Sequence, residues 1–342
     1  MTIKIGLVGG GNITETHARA VMASSGLELA AIQGTNTERV AELARRYGGK
    51  AYQEFESFLT HQPMDLVILG SPSGLHATQG IAAARRGLHI LTEKPIDVSL
   101  ERADQLIAAV EGAGVKLGVI FQDRVKPAIR QLKHWLQDGV LGKPLFVDAR
   151  VKWYRPPEYY SNSKWRGTFA LDGGGALINQ AIHTLDLMLW LFGDVSRVQA
   201  HKATMLHAIE AEDTALALIE FSNGTIATFE ATTAAYPGYP RRLEITGTEG
   251  TVVLEHDRIV SVDLRSVSEQ LKVDAAGDSN QSASSAAVTD FRGHQSLIED
   301  FVQGIKQNRQ PLCDGKEGRR SLALVQLIYS AAKDRCNRPA NE

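Results

Sequence analysis

Along the first 120 residues, apolar and polar positions alternate between two periods. Ile3-Lys4-Ile5-Gly6-Leu7-Val8 reads as a strand, followed by three glycines and a helical stretch over residues 12–23. Residues 27–32 form the next strand and 37–47 the next helix, with Thr37 as its N-cap. Asp65-Leu66-Val67-Ile68-Leu69 is a continuous apolar run, as in a strand covered on both faces. A helix at 75–86, a strand at 89–91, a helix at 100–113 and a strand at 116–120 continue the series. Strands alternating with helices predict right-handed crossovers and a doubly wound parallel sheet, a Rossmann-type α/β domain.

Past residue 124 the rhythm changes. A helix at 126–137 leads to a strand at 145–152, an irregular aromatic and cationic stretch at 153–169, and a very apolar helix at 176–192. Strand-like runs follow at 214–221, 225–233, 242–246 and 251–254, joined by turn signals such as Ser222-Asn223-Gly224 and Thr248-Glu249-Gly250. Successive strands predict a mostly antiparallel sheet in an α+β domain. Residues 274–290 are small and polar and read as a mobile loop, and helices at 291–307 and 318–333 close the series. The expected division is 1–122 for nucleotide binding and 123–342 for substrate binding, the last helix packing back on the first domain.

Composition narrows the function classes. The 342 residues suit roughly two domains at about 150 residues each. Lys and Arg number 37 against 39 Asp and Glu, a net charge of −2, which argues against a basic nucleic-acid surface and an acidic tail. Two cysteines, Cys313 and Cys336, are too few for a zinc cluster or a disulfide framework, and no metal is expected. No uncharged apolar run approaches the ~18–20 residues needed to span a bilayer. The opening MTIKIGLVGGG runs straight into a strand without a signal-like h-region, so a cytoplasmic location and no membrane partner are expected.

The chemistry begins at the glycines. Gly9-Gly10-Gly11-Asn12-Ile13-Thr14 follows a strand and opens a helix, the context in which G-x-G-x-x-G signals a dinucleotide. Gly9 permits the tight turn, Gly11 admits a pyrophosphate to the backbone, and Thr14 stands where the third glycine is usual. The second strand ends Gln33-Gly34-Thr35-Asn36 without the usual carboxylate, which removes a barrier to a 2′-phosphate. Thr35, Asn36 and Arg39 offer donors instead, so NADP is expected ahead of NAD. Lys94, in Thr92-Glu93-Lys94-Pro95, lies past a strand on the ligand-binding side of the sheet, and Lys94-Pro95 is a candidate cis peptide. On the apolar helix, Asn179, His183 and Asp186 make one narrow polar stripe at i, i+4, i+7. It serves either as a core histidine bonded to Asp186 or as a general base facing the substrate. Gly173-Gly174-Gly175, just before it, would let backbone approach cofactor or substrate.

GLVGGGNITETHA, GSPSGLHA at 70–77, TEKP at 92–95 and GGGALINQAIHTLDLMLWLFG together resemble the glucose-fructose oxidoreductase/inositol dehydrogenase/rhizopine-catabolism (Gfo/Idh/MocA) family. The resemblance runs over essentially the whole chain, to the closing GHQSLIEDFVQGIKQNRQPLCDGKEGRRSLALVQLIYSAA. It implies a Rossmann domain, a C-terminal domain whose large open sheet mediates homodimers or homotetramers, and redox chemistry at a hydroxyl of a sugar, cyclitol or sugar derivative. Lys94 matches the family's active-site lysine and His183 its acid/base histidine. Ile13, Ser71, Pro72, His76, Glu93 and Gln122 join Gly9, Gly11, Asn12, Thr35, Asn36, Arg39 and Lys94 as expected cofactor contacts. The family often has Asp four residues before the histidine, where this chain has Asn179, so His183 would act without that carboxylate.

Arg124, Tyr154, Arg155, Tyr160, Trp165, Arg166 and Asn179, with His183, are the expected substrate contacts, Trp153 lying in the same stretch. Aromatic faces suit sugar rings and an arginine fork suits a carboxylate or phosphate; the same stretch also reads as a packing loop with solvated arginines. The block WYRPPEYYSNSKWRGTFALDGGGALINQAIH looks most like the UDP-N-acetylglucosamine-uronate 3-dehydrogenase branch. Two alternatives stay open: an NAD-dependent glycoside hydrolase of the same family with no net redox change, and a catalytically silent NAD(P)-sensing protein. A pure sensor would need neither Lys94 nor His183.

Overall fold

The computed structural model describes residues 2–266 and 290–333, so the loop expected at 274–290 lies outside the described residues apart from Asp290, as does Cys336. The chain divides into two compact units. One comprises the described residues of Met1–Val125, Ala170–Gly173 and Ala287–Leu322; the other comprises those of Lys126–Phe169, Gly174–Ala286 and Ala323–Glu342.

The first unit holds six strands: β1 (Ile3–Val8), β2 (Leu27–Gln33), β3 (Lys50–Tyr52), β4 (Leu66–Leu69), β5 (His89–Thr92) and β6 (Leu117–Val119). They pair in parallel in the order β3-β2-β1-β4-β5-β6, so the winding reverses between β1 and β4. Helices α1 (Asn12–Ala23), α2 (Thr37–Tyr47), α3 (Phe55–Leu59), α4 (His76–Ala84) and α5 (Leu100–Ala113) connect them. The parallel doubly wound sheet predicted from the two periods is present. β3 and α3 went unread, because three residues, Lys-Ala-Tyr, on a largely exposed edge carry no periodicity. The N-cap of α2 is Asn36 rather than Thr37: its side chain accepts from the Arg39 N–H at 3.0 Å, and Thr37 is the first helical residue.

β4 is buried throughout, which explains its unbroken apolar run. Ile5, Leu7, Ile32, Leu66 and Ile68 share a core with Ala18 and Val21 of α1 and with Leu297, Ile298, Phe301 and Val302 of α9 (Arg292–Lys306). A Cβ on Gly118 would stand 2.7 Å from the Phe301 ring, so the glycine in β6 lets that aromatic close on the sheet.

The second unit holds α6 (Pro127–Gln137), β7 (Pro144–Lys152), α7 (Pro157–Ser161), α8 (Ile182–Phe192), β8 (Val195–Ala203), β9 (Thr214–Phe221), β10 (Ile226–Thr232), β11 (Arg242–Gly247), β12 (Gly250–Glu255) and β13 (Arg258–Leu264). Its sheet runs β13-β12-β11-β7-β10-β9-β8, antiparallel at every pair except β7 with β10. The mostly antiparallel α+β arrangement matches expectation. Val147, Ala149, Val151, Ala217, Ile219, Phe229 and Ala231 are buried at alternate positions, which is the period-2 signal that made these runs legible. α10 (Gly315–Lys333) is divided between the units at Leu322. No helix among the described residues is long and apolar enough to cross a membrane.

Candidate cofactor and active site

In the first unit, the expected cofactor residues follow the carboxyl ends of β1, β2, β4, β5 and β6, the edge on which open parallel sheets bind ligands. Gly9 adopts φ +117°, and a Cβ there would stand 2.6 Å from the Gly70 carbonyl oxygen, which follows β4. The turns after β1 and β4 therefore touch at the switch point. Gly11 caps α1 without a side chain, and a Cβ on it would meet nothing within 4 Å. The cap thus leaves space at the start of α1, where the first N–H groups of a helix lack intrahelical acceptors and favour an anion. Buried Thr14 Oγ1 and Gln122 Oε1 find no hydrogen-bond partner among the described residues. An open glycine turn with unsatisfied polar atoms after β1 and β6 fits a dinucleotide laid along this edge.

At the end of β2, Thr35 and Asn36 are exposed. Arg39 is not extended toward that space. Its guanidinium pairs with Glu15 of α1 and, at 2.7 Å, with Glu42. Glu15 Oε1 also accepts from Arg46 at 2.7 Å and from the Tyr47 hydroxyl at 2.9 Å. Sequence reasoning missed Glu15, because its partners lie on another helix.

After β5, Lys94 is half-buried and the Lys94–Pro95 peptide is cis, as anticipated. The preceding Glu93 is buried, and its Oε1 lies 2.9 Å from His17 Nε2 and 3.4 Å from His294 Nε2. Its other oxygen accepts the Lys94 backbone N–H at 3.2 Å. Burial works to raise the Glu93 pKa, but hydrogen bonds from both imidazoles outweigh it and hold the group well below the usual carboxylate range. Burial also lowers the His17 imidazole, against the pull of Glu93. These three groups offer ligand atoms within 4.8 Å of one another, but with Nε2–H donated by each histidine the carboxylate is already satisfied. Glu93, expected at the cofactor, thus braces the Lys94 turn against α1 and α9. His76 is a brace too: Nδ1 lies 2.8 Å from the Pro95 carbonyl oxygen and Nε2 3.0 Å from that of Ser71. The Ser71 hydroxyl bonds Gln79 at 2.5 Å, and half-buried Pro72 precedes a 3-10 turn at Ser73–Leu75. Arg124, expected at the substrate, is wholly buried and donates to Glu317 at 2.9 Å.

In the second unit a π-turn, Leu177–Ala181, leads into α8. Such an insertion changes which residues share a face, and it recurs at functional sites. Asn179, His183 and Trp190 are the half-accessible positions of this helix, while Asp186 is wholly buried. In the glycine run before it, Gly174 and Gly175 are closed on by protein. A Cβ on Gly175 would lie 1.7 Å from the Glu212 carbonyl oxygen, and one on Gly174 2.0 Å from the Tyr329 hydroxyl. The close approach these glycines permit is to protein. Glu212 accepts from the Leu177 N–H at 2.9 Å and from the Tyr329 hydroxyl at 3.0 and 2.9 Å, fixing the start of the helix that carries Asn179 and His183. Burial raises the Glu212 pKa, opposed by those bonds.

The aromatic stretch is partly packing. Tyr160 is buried, its hydroxyl 2.9 Å from Thr233 Oγ1 and its ring against Tyr159 and His207. Tyr154 bridges Ala234 and meets the Tyr236 ring edge-on. Arg155 is buried, stacked near Trp153 and Tyr159, and burial brings it down to about 10, still cationic at neutral pH. Arg166 lies 4.0 Å over the Tyr159 ring and 5.0 Å from that of Trp165. Gln180 donates to the Tyr159 hydroxyl at 3.2 Å, joining the helix to this cluster; neither residue was singled out from sequence.

Two profiles match the chain: "Oxidoreductase family, NAD-binding Rossmann fold" over residues 3–121 and "GFO/IDH/MocA C-terminal domain" over residues 129–253. The chain is 25% identical over 340 residues to the myo-inositol 2-dehydrogenase of Thermotoga maritima, covering 97% of this chain and 96% of the relative. It is 30% identical over 251 residues to the rhizopine catabolism protein MocA of Rhizobium meliloti, covering 72% and 76%. The crystal structure of the WlbA dehydrogenase from Bordetella pertussis, in complex with NADH and UDP-GlcNAcA, is similar at a TM-score of 0.86 and 31% identity, covering 97% of this chain and 96% of that one.

Proposed function

The chain belongs to the Gfo/Idh/MocA family of oxidoreductases, and from that membership we propose that it moves hydride between a nicotinamide dinucleotide and a hydroxyl-bearing carbon of a sugar, cyclitol or nucleotide-sugar. It is an NAD-binding oxidoreductase of the sugar and cyclitol dehydrogenase type. The observation that carries the finer reading is the gathering, at one edge of the parallel sheet, of a ligand-open glycine turn, an orphaned Gln122 acceptor and the braced Lys94 turn.

When bound, the dinucleotide supplies the hydride acceptor or donor. Gly9 and Gly11 with the first turn of α1 hold its pyrophosphate, and Gln122 accepts a hydrogen bond from it. Lys94 donates to the reacting hydroxyl oxygen and stabilises the charge that develops there. His183 removes the hydroxyl proton in oxidation and returns it in reduction. Asn179, which holds no proton-accepting charge, orients the substrate through its amide. The likeness to the uronate-binding WlbA structure supports a nucleotide-sugar substrate, with Arg155 and Arg166 as the cations that meet its anionic groups.

The missing carboxylate after β2 favours NADP, but the paired state of Arg39 supports NAD as the working cofactor. The enzyme is read as cytoplasmic and as a homodimer or homotetramer assembled through the second sheet. To test the roles, Lys94→Ala and His183→Ala are assayed on the substrate found by screening. Each is expected to lower kcat by about 10²–10⁴-fold while NADH binding, followed by nicotinamide fluorescence, persists. Near-natural turnover of either variant sinks its assignment.

A further inference from the structure

Arg39 is the one cation between Gln33 and Glu42. It stands on the first turn of α2, beside the strand end that faces the adenosine ribose in dinucleotide folds. An arginine there would ordinarily receive a 2′-phosphate. Here both arms of the guanidinium are taken: one by Glu42 at 2.7 Å, the other by Glu15 on the phosphate-binding helix. We infer that Glu15 and Glu42 are the cofactor-specificity determinants, holding Arg39 away from a ribose 2′-phosphate so that the site takes NAD(H) over NADP(H). This rests on the reading of the chain as a nicotinamide-dependent oxidoreductase.

The restraint is stronger than an isolated surface pair. Glu15 is itself fixed by Arg46 at 2.7 Å and by the Tyr47 hydroxyl at 2.9 Å, so three groups of α2 clamp one carboxylate of α1. The Tyr47 hydrogen bond is the leading cause that holds Glu15 below the usual carboxylate range, keeping it charged at neutral pH. The Arg39 and Glu15 side chains are 26% and 23% exposed, so solvent screens them only in part. A 2′-phosphate carries nearly two negative charges. It would have to draw the guanidinium from two carboxylates and then remain beside both, with Glu38 a third acidic group in the first turn of α2. A neutral ribose hydroxyl leaves every pair intact. The discrimination usually made by one acidic residue at the strand end is thus made by two carboxylates acting through Arg39.

The test measures Kd for NADH and NADPH by nicotinamide fluorescence, at fixed low ionic strength, on the natural chain and on Glu15→Gln/Glu42→Gln. The natural chain is expected to bind NADH at least about tenfold tighter. The double variant is expected to gain about 10–100-fold in NADPH affinity, the strength of a charge-assisted hydrogen bond, with NADH within about threefold. Adding Arg39→Ala should abolish that gain. Should the double variant not fold, the more exposed Glu42→Gln alone must shift the ratio in the same direction. The inference is overturned if the natural chain prefers NADPH, if neither the double nor the single variant moves the ratio, or if the gain survives Arg39→Ala. Failure of the natural chain to bind either dinucleotide would instead overturn the oxidoreductase reading beneath it.

Discussion

His17 lies in the helix that opens on the phosphate turn, yet its ring faces inward to Glu93 and His294. Burial is the leading cause that lowers its pKa from the ordinary 6.5. Below about pH 6.5 the unfolded chain therefore binds a proton that the folded chain does not, so stability falls with falling pH. The contribution is complete above 6.5 and is lost as pH drops through the folded value, at up to about 1.4 kcal/mol per unit. Glu93, held below 4.5, loses its own contribution in a separate, more acidic window. Urea unfolding between pH 7.5 and 5.5 is expected to show a shallower pH dependence for His17→Gln than for the natural chain; equal slopes would contradict the buried-neutral assignment. Little of this was legible beforehand. Gly9, Gly11 and Lys94 announce themselves through local motifs, whereas His17, Glu93 and His294 meet across 76 and 201 positions of chain, which no local pattern records. The same distance hid Glu15 from Arg39, so the pairing of the one cation near the end of β2 was not legible either.

Elements with both faces covered or one face buried were read closely, the buried edge strand β6 among them, and the more exposed edges were not. β3 and β8 are edge strands with polar, exposed positions, and edge strands are where apolar alternation is weakest. The π-turn before α8 leaves no compositional mark, although it governs how Asn179 and His183 are presented. The opposite face of the second sheet carries its own message. Phe146 pairs with Ile226, and Leu218 and Leu216 continue the apolar patch on β9, all more than two-fifths exposed. Lys152–Glu230 and Arg150–Asp148 ion pairs, each at 2.7 Å, border it. An apolar patch rimmed by charge is the pattern of a protein interface. Light scattering is expected to give a dimer or tetramer for the natural chain and a monomer for Leu216→Asp/Leu218→Asp. A monomeric natural chain would remove the assembly proposal.

At the scale of the whole molecule, alternating periods sufficed for the first sheet because parallel crossovers leave few topologies. The second sheet resists such reading. Its first strand in sequence, β7, lies fourth in the seven-strand order and pairs in parallel with β10, a long-range choice that no turn signal encodes. The two triple-glycine runs differ in the same way: a Cβ on Gly11 would meet nothing within 4 Å, whereas at 174–175 the backbone closes on Glu212 and Tyr329. The chemistry proposed for the whole molecule is net hydride transfer between a sugar substrate and NAD. Its most direct test is absorbance at 340 nm with NAD and a panel of free and nucleotide-linked sugars, uronates included. Net accumulation of NADH is expected with at least one of them, faster than NADPH accumulates when NADP replaces NAD. Sugar turnover without net NADH, as in a glycoside cleavage that regenerates its cofactor, would contradict it.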